Sequence, residues 1–258
     1  MARAIWKGVI KIGSTKLPVK FYSAVSEKNV HFRLLHKTDH QPVKQKLVSS
    51  STGEQIDSDE IRKAYPVSSR QLVILEDEEL DKLEPKSSRD IEIKKFVDPE
   101  AIDHRLYERA YFLGPDSDSG AYFAAAEALR KKGKEGVARW VMRNKEYVGA
   151  LRYEDGYLML ITLRYAEEVI DASALEPPEG KALNPKEIHM AEQLVEALEA
   201  EFDPEKFHDE YRERVLDLVK TKERGGKVKI KKFRPKKTAD TSLDSVLAAS
   251  LAAARKAS

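Results

Sequence analysis

The chain has 258 residues, of which 41% are apolar and 35% are charged, and it contains no cysteine. This length suits one large domain, or one domain with appended segments. The lack of cysteine excludes disulfides, a thiol nucleophile and any cysteine-ligated metal centre. The sequence has no run of 18 apolar residues and no apolar stretch of a secretory signal near its start, so we expect neither a membrane span nor export.

Charge is distributed unevenly along the chain. Residues 1–50 carry ten Lys and Arg against two Asp and Glu, and residues 224–258 carry the same numbers. Residues 151–223 reverse this balance, with nine basic against 19 acidic residues. The segregation predicts a polyanion-binding face that is kept apart from an acidic, solvated surface. The alternative is surface charge without a binding role.

The first hundred residues show mainly the pattern of β-strands. Apolar and polar residues alternate in short runs, which predicts an antiparallel sheet with one buried face and one face that carries cations. The predicted strands cover residues 6–12, 17–22, 30–34, 72–75 and 91–97. The polar stretch 36–58 is predicted to leave the sheet as an excursion.

The middle of the chain predicts one helix followed by three strands. The helix is predicted over residues 120–132, and the strands over 137–142, 147–153 and 157–165. The first of these strands is predicted to point Arg139 and Arg143 the same way. Asp155-Gly156 between the last two strands is a hairpin signal. Residues 157–163 are apolar on both faces, which favours a central position in the sheet.

The C-terminal part predicts two helices and then a basic tail. Asn184-Pro185 and Asp203-Pro204 each resemble a helix start, with a capping residue before a proline. Residues 224–237 carry eight cations and no anion, which predicts a disordered basic linker. A short amphipathic helix is predicted to follow, with its apolar face formed by Leu243, Val246, Leu247 and Leu251. Because a lone short helix is marginal in water, this one folds against either the protein's own core or a partner.

The sequence contains no recognisable set of catalytic residues. It has no glycine-rich phosphate loop, no nucleophile elbow and no His-Glu-x-x-His motif. The spacing of His31, His36 and His40 does not bring their rings to one point, and the carboxylates occur in runs rather than as a spaced pair. We therefore expect a binding protein rather than an enzyme, with no cofactor and no metal.

Many segments, in order and over nearly the whole chain, resemble the bacterial Ku proteins of non-homologous end joining. The N-terminal half of the resemblance consists of ARAIWKGVIKIG (2–13), LPVKFYSAV (17–25), LVILEDEELDKLEP (72–85) and IEIKKFVDPEAID (91–103). The C-terminal half consists of RAYFLGPD (109–116), ARWVMRNKEYVGALR (138–152), LRYAEEV (163–169) and AEQLVEALEAEFDPEKFHDEYRE (191–213). No segment is a sharp chemical motif, and the resemblance is specific because of the number and order of the segments.

The resemblance implies a mixed α+β, mainly β fold, namely a Ku-type β-barrel with a bridging excursion, followed by C-terminal helices and a basic tail. The implied divisions are a barrel core over 1–180 with the excursion at about 36–66, a helical part over 181–223, a basic flexible linker over 224–241 and a ligase-recruiting helix over 242–258. The implied activity is that of a homodimeric ring that slides onto double-stranded DNA ends and protects them. The implied partner is a multifunctional ATP-dependent DNA ligase of the ligase D type, and the expected location is cytoplasmic and nucleoid-associated.

Cations are the candidate DNA-binding residues, because sequence-independent binding relies on phosphate contacts rather than on base-edge readers. In the barrel and excursion we expect these contacts from Lys16, Lys20, Arg33, Lys37, Lys44, Lys46, Arg139 and Arg143. In the tail we expect them from Lys227, Lys229, Lys231 and Lys232. The resemblance implies that the ligase contacts Leu243, Val246, Leu247 and Leu251.

The sequence departs from the family in one place and leaves rival functions open. Some family members have cysteines, sometimes as zinc ligands, in the segment that corresponds to residues 47–53, which reads LVSSSTG here. This segment holds its shape through packing and dimer contacts, or is more mobile than in metal-bearing relatives.

Three rival functions remain open. The first is an OB-type single-strand binder, which needs aromatic platforms such as Tyr22, Phe21 and Phe32. The others are a scaffold that binds acidic proteins and an enzyme with dispersed catalytic residues.

Overall fold

The computed structural model describes residues 3–86, 88–117, 119–175 and 184–226, together with Leu247, Ala249 and Ser250. The chain divides into two compact units. The first contains residues 1–28 and 33–171, and the second contains residues 29–32 and 172–258.

Seven strands of the first unit close into a β-barrel in the order β1-β2-β6-β9-β8-β7-β5. The strands are β1 (Trp6–Ile12), β2 (Thr15–Ser23), β5 (Asp90–Val97), β6 (Tyr107–Pro115), β7 (Glu135–Met142), β8 (Lys145–Glu154) and β9 (Tyr157–Leu163). Neighbouring strands are antiparallel except β1 and β5, whose parallel pairing closes the barrel. The predicted mixed α+β, mainly β fold class is confirmed.

The barrel interior is filled by the alternate apolar residues that the sequence pattern predicts. Ile10, Leu17, Val19 and Phe21 are fully buried, and the ring of Trp6 packs edge-on against Phe21 with centroids 4.9 Å apart. Helix α2 (Ser119–Lys132) adds Tyr122, which is 0% exposed. Its hydroxyl donates to the Leu113 carbonyl and accepts from the Leu158 amide. The buried ring therefore has its polar end satisfied, as a core tyrosine requires.

The β8–β9 hairpin forms where the sequence predicts it. Asp155 and Gly156 have φ angles of 47° and 87°, the left-handed pair that a tight two-residue hairpin turn requires. Strand β9 pairs with β6 on one side and with β8 on the other, which confirms its central position. Gly149 in β8 allows a close approach, because a Cβ there would lie 2.7 Å from the Ile161 carbonyl oxygen.

The prediction of a sheet strand over residues 30–34 is wrong. The chain leaves the barrel after β2, and these residues pair with no strand. Phe32 and Leu34 are 66% and 67% exposed. Alternation indicates a buried face only where a neighbouring strand and a core are present. Among the described residues, this segment has no paired strand and none of its side chains is buried.

Residues 33–86, which we call the arm, lie outside the barrel. They contain β3 (Lys63–Ser68), β4 (Gln71–Leu75) and α1 (Asp77–Leu83). Strands β3 and β4 pair only with each other, so the predicted strand at 72–75 exists but does not belong to the barrel. No residue of the arm is buried. The part of the chain outside the barrel is therefore longer than an excursion over 36–66.

The second unit contains α3 (Pro185–Ala197) and α4 (Glu210–Glu223). Asn184 caps α3 as predicted, and its side chain accepts a hydrogen bond from the Lys186 amide. The predicted start of the second helix at Asp203-Pro204 is wrong, because Asp203 caps only a short 3₁₀ helix, Pro204–Lys206. Phe207 is extended, and α4 begins later, with Asp209 as its cap.

Candidate nucleic-acid interface

Four lysines share the outer face of the β1–β2 hairpin. Alternate residues of both strands, Gly8, Ile10, Leu17 and Val19, are buried, so strand alternation turns the lysines outward. The register places Lys7 opposite Lys20 and Lys11 opposite Lys16. We call these four residues the lysine face. Like charges directly opposite each other are unfavourable, so this face needs counter-charges, either from the protein or from a bound anion.

Two carboxylates supply part of that counter-charge. Asp116, at the end of β6, accepts from Lys20 at 2.7 Å and lies 3.2 Å from the Lys7 ammonium. Hydrogen bonds from Lys20 and then Lys7 hold the pKa of Asp116 below its usual value, and the bond to Asp116 raises the pKa of Lys20. Asp90 pairs with Lys11 at 2.5 Å. Two carboxylates against four ammonium groups leave the face net positive.

Lys16 differs from the other three lysines of this face. Its side chain is exposed and has no ion-pair or hydrogen-bond partner among the described residues. It lies at the hairpin end, and Gly13 beside it has a φ of 58°, which closes the tight turn. The Lys16 ammonium is therefore free to bind a phosphate, whereas Lys20 must first break its ion pair with Asp116.

The predicted cations of the arm are all exposed. Arg33, Lys37 and Lys44 have no ion pair in the part of the chain that the structure describes. Lys46 donates to the Gln55 side-chain oxygen at 2.6 Å, a neutral partner that leaves its charge uncompensated. The arm thus presents four positive charges that no carboxylate neutralises.

Arg139 and Arg143 do not act together. The prediction that they point the same way is wrong, because β7 ends at Met142 and Arg143 adopts a left-handed φ of 54° in the following turn. Arg139 makes two hydrogen bonds to Glu146, at 2.6 and 2.7 Å. This bidentate pair raises the pKa of Arg139 and lowers that of Glu146. Arg143 lines a surface cavity with Glu27 and other residues.

Most of the predicted tail contacts lie outside the described residues, namely Lys227, Lys229, Lys231, Lys232, Leu243, Val246 and Leu251. Leu247 is described, and it is helical and half-buried. It lines a groove with residues of α3, including Ile188, Ala191 and Val195.

The segment at 47–53 is held by local hydrogen bonds. Val48 forms an isolated bridge with Gln55, and the Ser49 amide donates to the Glu54 carbonyl at 2.8 Å. The Ser49 hydroxyl accepts from the amides of Ser51 and Thr52. Within the described ranges, no group of three or more metal-ligating side chains comes together.

Of the three aromatic residues named for a single-strand binder, only Tyr22 lies on the outer face of the barrel beside the cations. Phe21 is buried in the barrel and is closed to a base. Phe32 is exposed, in the segment 30–34 that was wrongly predicted as a strand of the sheet. Tyr22 does face outward, and it pairs across the sheet with Phe112, whose ring lies 6.2 Å from that of Tyr157. Sequence analysis did not detect this aromatic group, because its members come from three strands.

Three further residues of the site were not among the predicted contacts. Lys7 and Lys11 show the same outward alternation as Lys16 and Lys20, so the strand pattern was sufficient to include them. Asp116 gave no local signal, because it pairs with Lys7 over a separation of 109 residues.

Among the described residues, no helix is long and apolar enough to span a membrane.

Comparisons with known proteins agree with this architecture. The family model of the Ku70/Ku80 β-barrel domain matches residues 11–191. The non-homologous end joining protein Ku of Anaeromyxobacter sp. (strain K) is 38% identical over 258 residues, covering 99% of this chain and 87% of that protein. The Bacillus subtilis (strain 168) protein of the same name is 35% identical, covering 84% and 71%. The Archaeoglobus fulgidus protein of that name is 34% identical, covering 88% and 90%.

Proposed function

Because this chain belongs to the Ku family of DNA-binding, non-enzymatic end-joining proteins, we propose that it binds double-stranded DNA ends as a homodimeric ring. The ring contacts the sugar-phosphate backbone and accepts any sequence. It protects the end and recruits a multifunctional ATP-dependent DNA ligase of the ligase D type through its C-terminal helix. A cytoplasmic, nucleoid-associated location follows from this activity.

The observation that carries the proposal is the exposed arm. Twelve large apolar residues of the arm are exposed: Leu34, Leu35, Val43, Leu47, Val48, Ile61, Tyr65, Val67, Leu72, Val73, Ile74 and Leu83. Apolar surface of this extent marks an interaction site, and a lone two-stranded hairpin such as β3–β4 is marginal in water. A second copy of the chain supplies the cover in a symmetric pair, where each arm contacts the other subunit.

The distribution of charge supports backbone binding. The lysine face has more lysines than paired carboxylates, and residues 33–46 of the arm carry four Lys and Arg against one Asp. Several of these cations have no partner in the described structure. Lys and Arg on exposed surfaces neutralise phosphates and release counterions, which gives affinity that does not depend on sequence. Dimerisation doubles the number of these cations.

The difference in affinity between linear and closed circular DNA tests the ring directly. We expect tight binding to a linearised plasmid and at least 100-fold weaker binding to the same plasmid as a relaxed closed circle, at equal moderate salt. Capping both ends of the linear DNA with bulky groups before the protein is added should abolish the difference. Equal affinity for linear and circular DNA would overturn the ring, and preference for single-stranded DNA would favour the OB-type rival. Loss of DNA binding even at low salt would favour the scaffold.

Neutralising Asp116 is expected to tighten DNA binding. Asp116→Asn removes the carboxylate that Lys7 and Lys20 share, so both ammonium groups become available to phosphate without first losing a partner. We expect about 3–10-fold higher affinity in 0.1 M salt and a steeper slope of log K against log salt, by about 0.9 for each phosphate gained. The slope is measured by fluorescence titration of a blunt duplex over a series of salt concentrations.

Asp98→Asn is the matched control for this prediction. It makes the same change in net charge and also removes a carboxylate that pairs with a lysine, but that lysine is Lys134 and not one of the four lysines of the lysine face. If both variants tighten binding equally, the effect is one of net charge alone, and the lysine face is not a phosphate site.

A further inference from the structure

Helix α3 carries an open apolar groove. Ile188, Ala191 and Val195 form its floor at the i, i+3 and i+7 spacing of one helical face, and the groove has a volume of about 590 Å³. Three carboxylates on the same helix, Glu187, Glu192 and Glu196, line its sides. A groove with an apolar floor and acidic sides fits an amphipathic helix that carries positive charge.

The chain's own C-terminal segment has that chemistry, and one of its residues is already at the groove. Leu247 is helical, half-buried and part of the groove lining. Residues 242–258 carry Arg255 and Lys256 against Asp244, and the preceding residues 224–237 add eight further cations, so the C-terminal segment complements the acidic sides. Twenty residues separate Gly226 from Leu247, enough for a maximum reach of about 70 Å, so the segment can return to α3 within one chain.

We propose that the C-terminal helix docks in cis in the α3 groove through Leu247, and that this docking competes with delivery of the same helix to the ligase. The second half of this proposal rests on the proposed function, in which the ligase takes the face that contains Leu247. Val195 is still 72% exposed with Leu247 in place, so the contact covers only part of the groove. Such partial cover suits an interaction that opens when a larger partner surface competes for the helix.

The absence of cysteine makes the docking directly testable. Cysteines introduced as Ala191→Cys and Leu247→Cys are the only thiols in the full-length protein. We expect a short bis-maleimide to link them within one chain at least 10-fold faster than the control pair Ala191→Cys with Ala249→Cys, because Ala249 is exposed on the same helix. Denaturing electrophoresis and intact mass distinguish a link within one chain from a link between two chains. Equal rates for the two pairs, or links mainly between chains, would overturn docking in cis.

A variant of the groove tests the competition. Val195→Lys places a positive charge on the groove floor, and we expect it to slow the 191–247 link at least fivefold while raising ligase stimulation at saturating DNA. Gln193→Lys is the control, because Gln193 lies on α3 but does not line the groove. Deletion of residues 241–258 is run in parallel.

The outcomes of the ligase assay separate the two proposals. If stimulation falls on deletion but does not rise in the Val195→Lys variant, recruitment stands and the competition is wrong. If neither variant changes stimulation while the 191–247 link remains fast, docking in cis stands, and both recruitment by the tail and competition with the ligase are wrong.

Discussion

Replacing Leu72 and Ile74 with aspartate is expected to convert the protein from a dimer to a monomer and to abolish binding to DNA ends. The two residues share one face of β4 and are 65% and 61% exposed in a single chain. Burial of such a side chain contributes about 1.5–3 kcal/mol. A symmetric dimer loses each contact twice, so the dimer dissociation constant should rise by at least about 10⁴. A single subunit cannot encircle the duplex, and end binding is lost with the ring.

Light scattering coupled to size exclusion measures the mass, and a shift assay on a blunt duplex measures end binding. Because neither residue contributes to the barrel core, the melting temperature should remain within a few degrees of the unchanged protein. The matched control is Ser68→Asp with Gln71→Asp, which adds the same charge at a polar pair of the same hairpin. A variant that stays dimeric and still loads on ends would show that β3–β4 is not the dimer contact. Monomers that keep end-specific binding would contradict the ring.

Deleting residues 241–258 is expected to leave a folded protein that loads on DNA ends but stimulates ligation at least 10-fold less. Every buried residue of the described chain lies between Gly8 and Thr162, so the loss of Leu247, Ala249 and Ser250 removes none of them. The deletion removes the apolar face of Leu243, Val246, Leu247 and Leu251, which a ligase groove would take through its i, i+3 and i+4 spacing. The deletion should therefore lower ligase recruitment without changing the stability of the protein or its loading on DNA ends.

A longer deletion from Arg224 distinguishes the helix from the cations before it. It also removes the eight basic residues of 224–237, and the slope of log K against log salt should fall in magnitude by about 0.9 for each one that contacts a phosphate. Melting temperature and ligase stimulation at saturating DNA are the measurements. A fall of many degrees for the shorter deletion would show that the helix belongs to the folded core. Unchanged stimulation would place ligase recruitment on the barrel instead.

The sequence predicted correctly those elements that are determined by residues close together in the chain. Asp155-Gly156 predicts its own hairpin, because the two residues accept the left-handed backbone that the turn needs. Asn184 predicts the start of α3, because its side chain satisfies a free amide two residues later. The alternation in β1 and β2 separates the core residues from the lysines of the outer face, because side chains in a strand alternate between its two faces. The resemblance of the ordered segments to Ku identified the barrel, a choice that these local rules do not make.

The same alternation failed at residues 30–34, because it reports which side chains share a face and not whether a core is present to cover that face. The barrel is closed by the parallel pairing of β1 with β5, two strands that lie about 80 residues apart and carry no local signal for each other. The pairing of Asp116 with Lys7 and Lys20 and the exposure of the arm are likewise products of the tertiary arrangement. Local propensity and periodicity therefore determined the elements and the outward cations. Only the folded chain decided which cations are neutralised and which apolar residues are left for a partner, because both depend on contacts between residues distant in sequence.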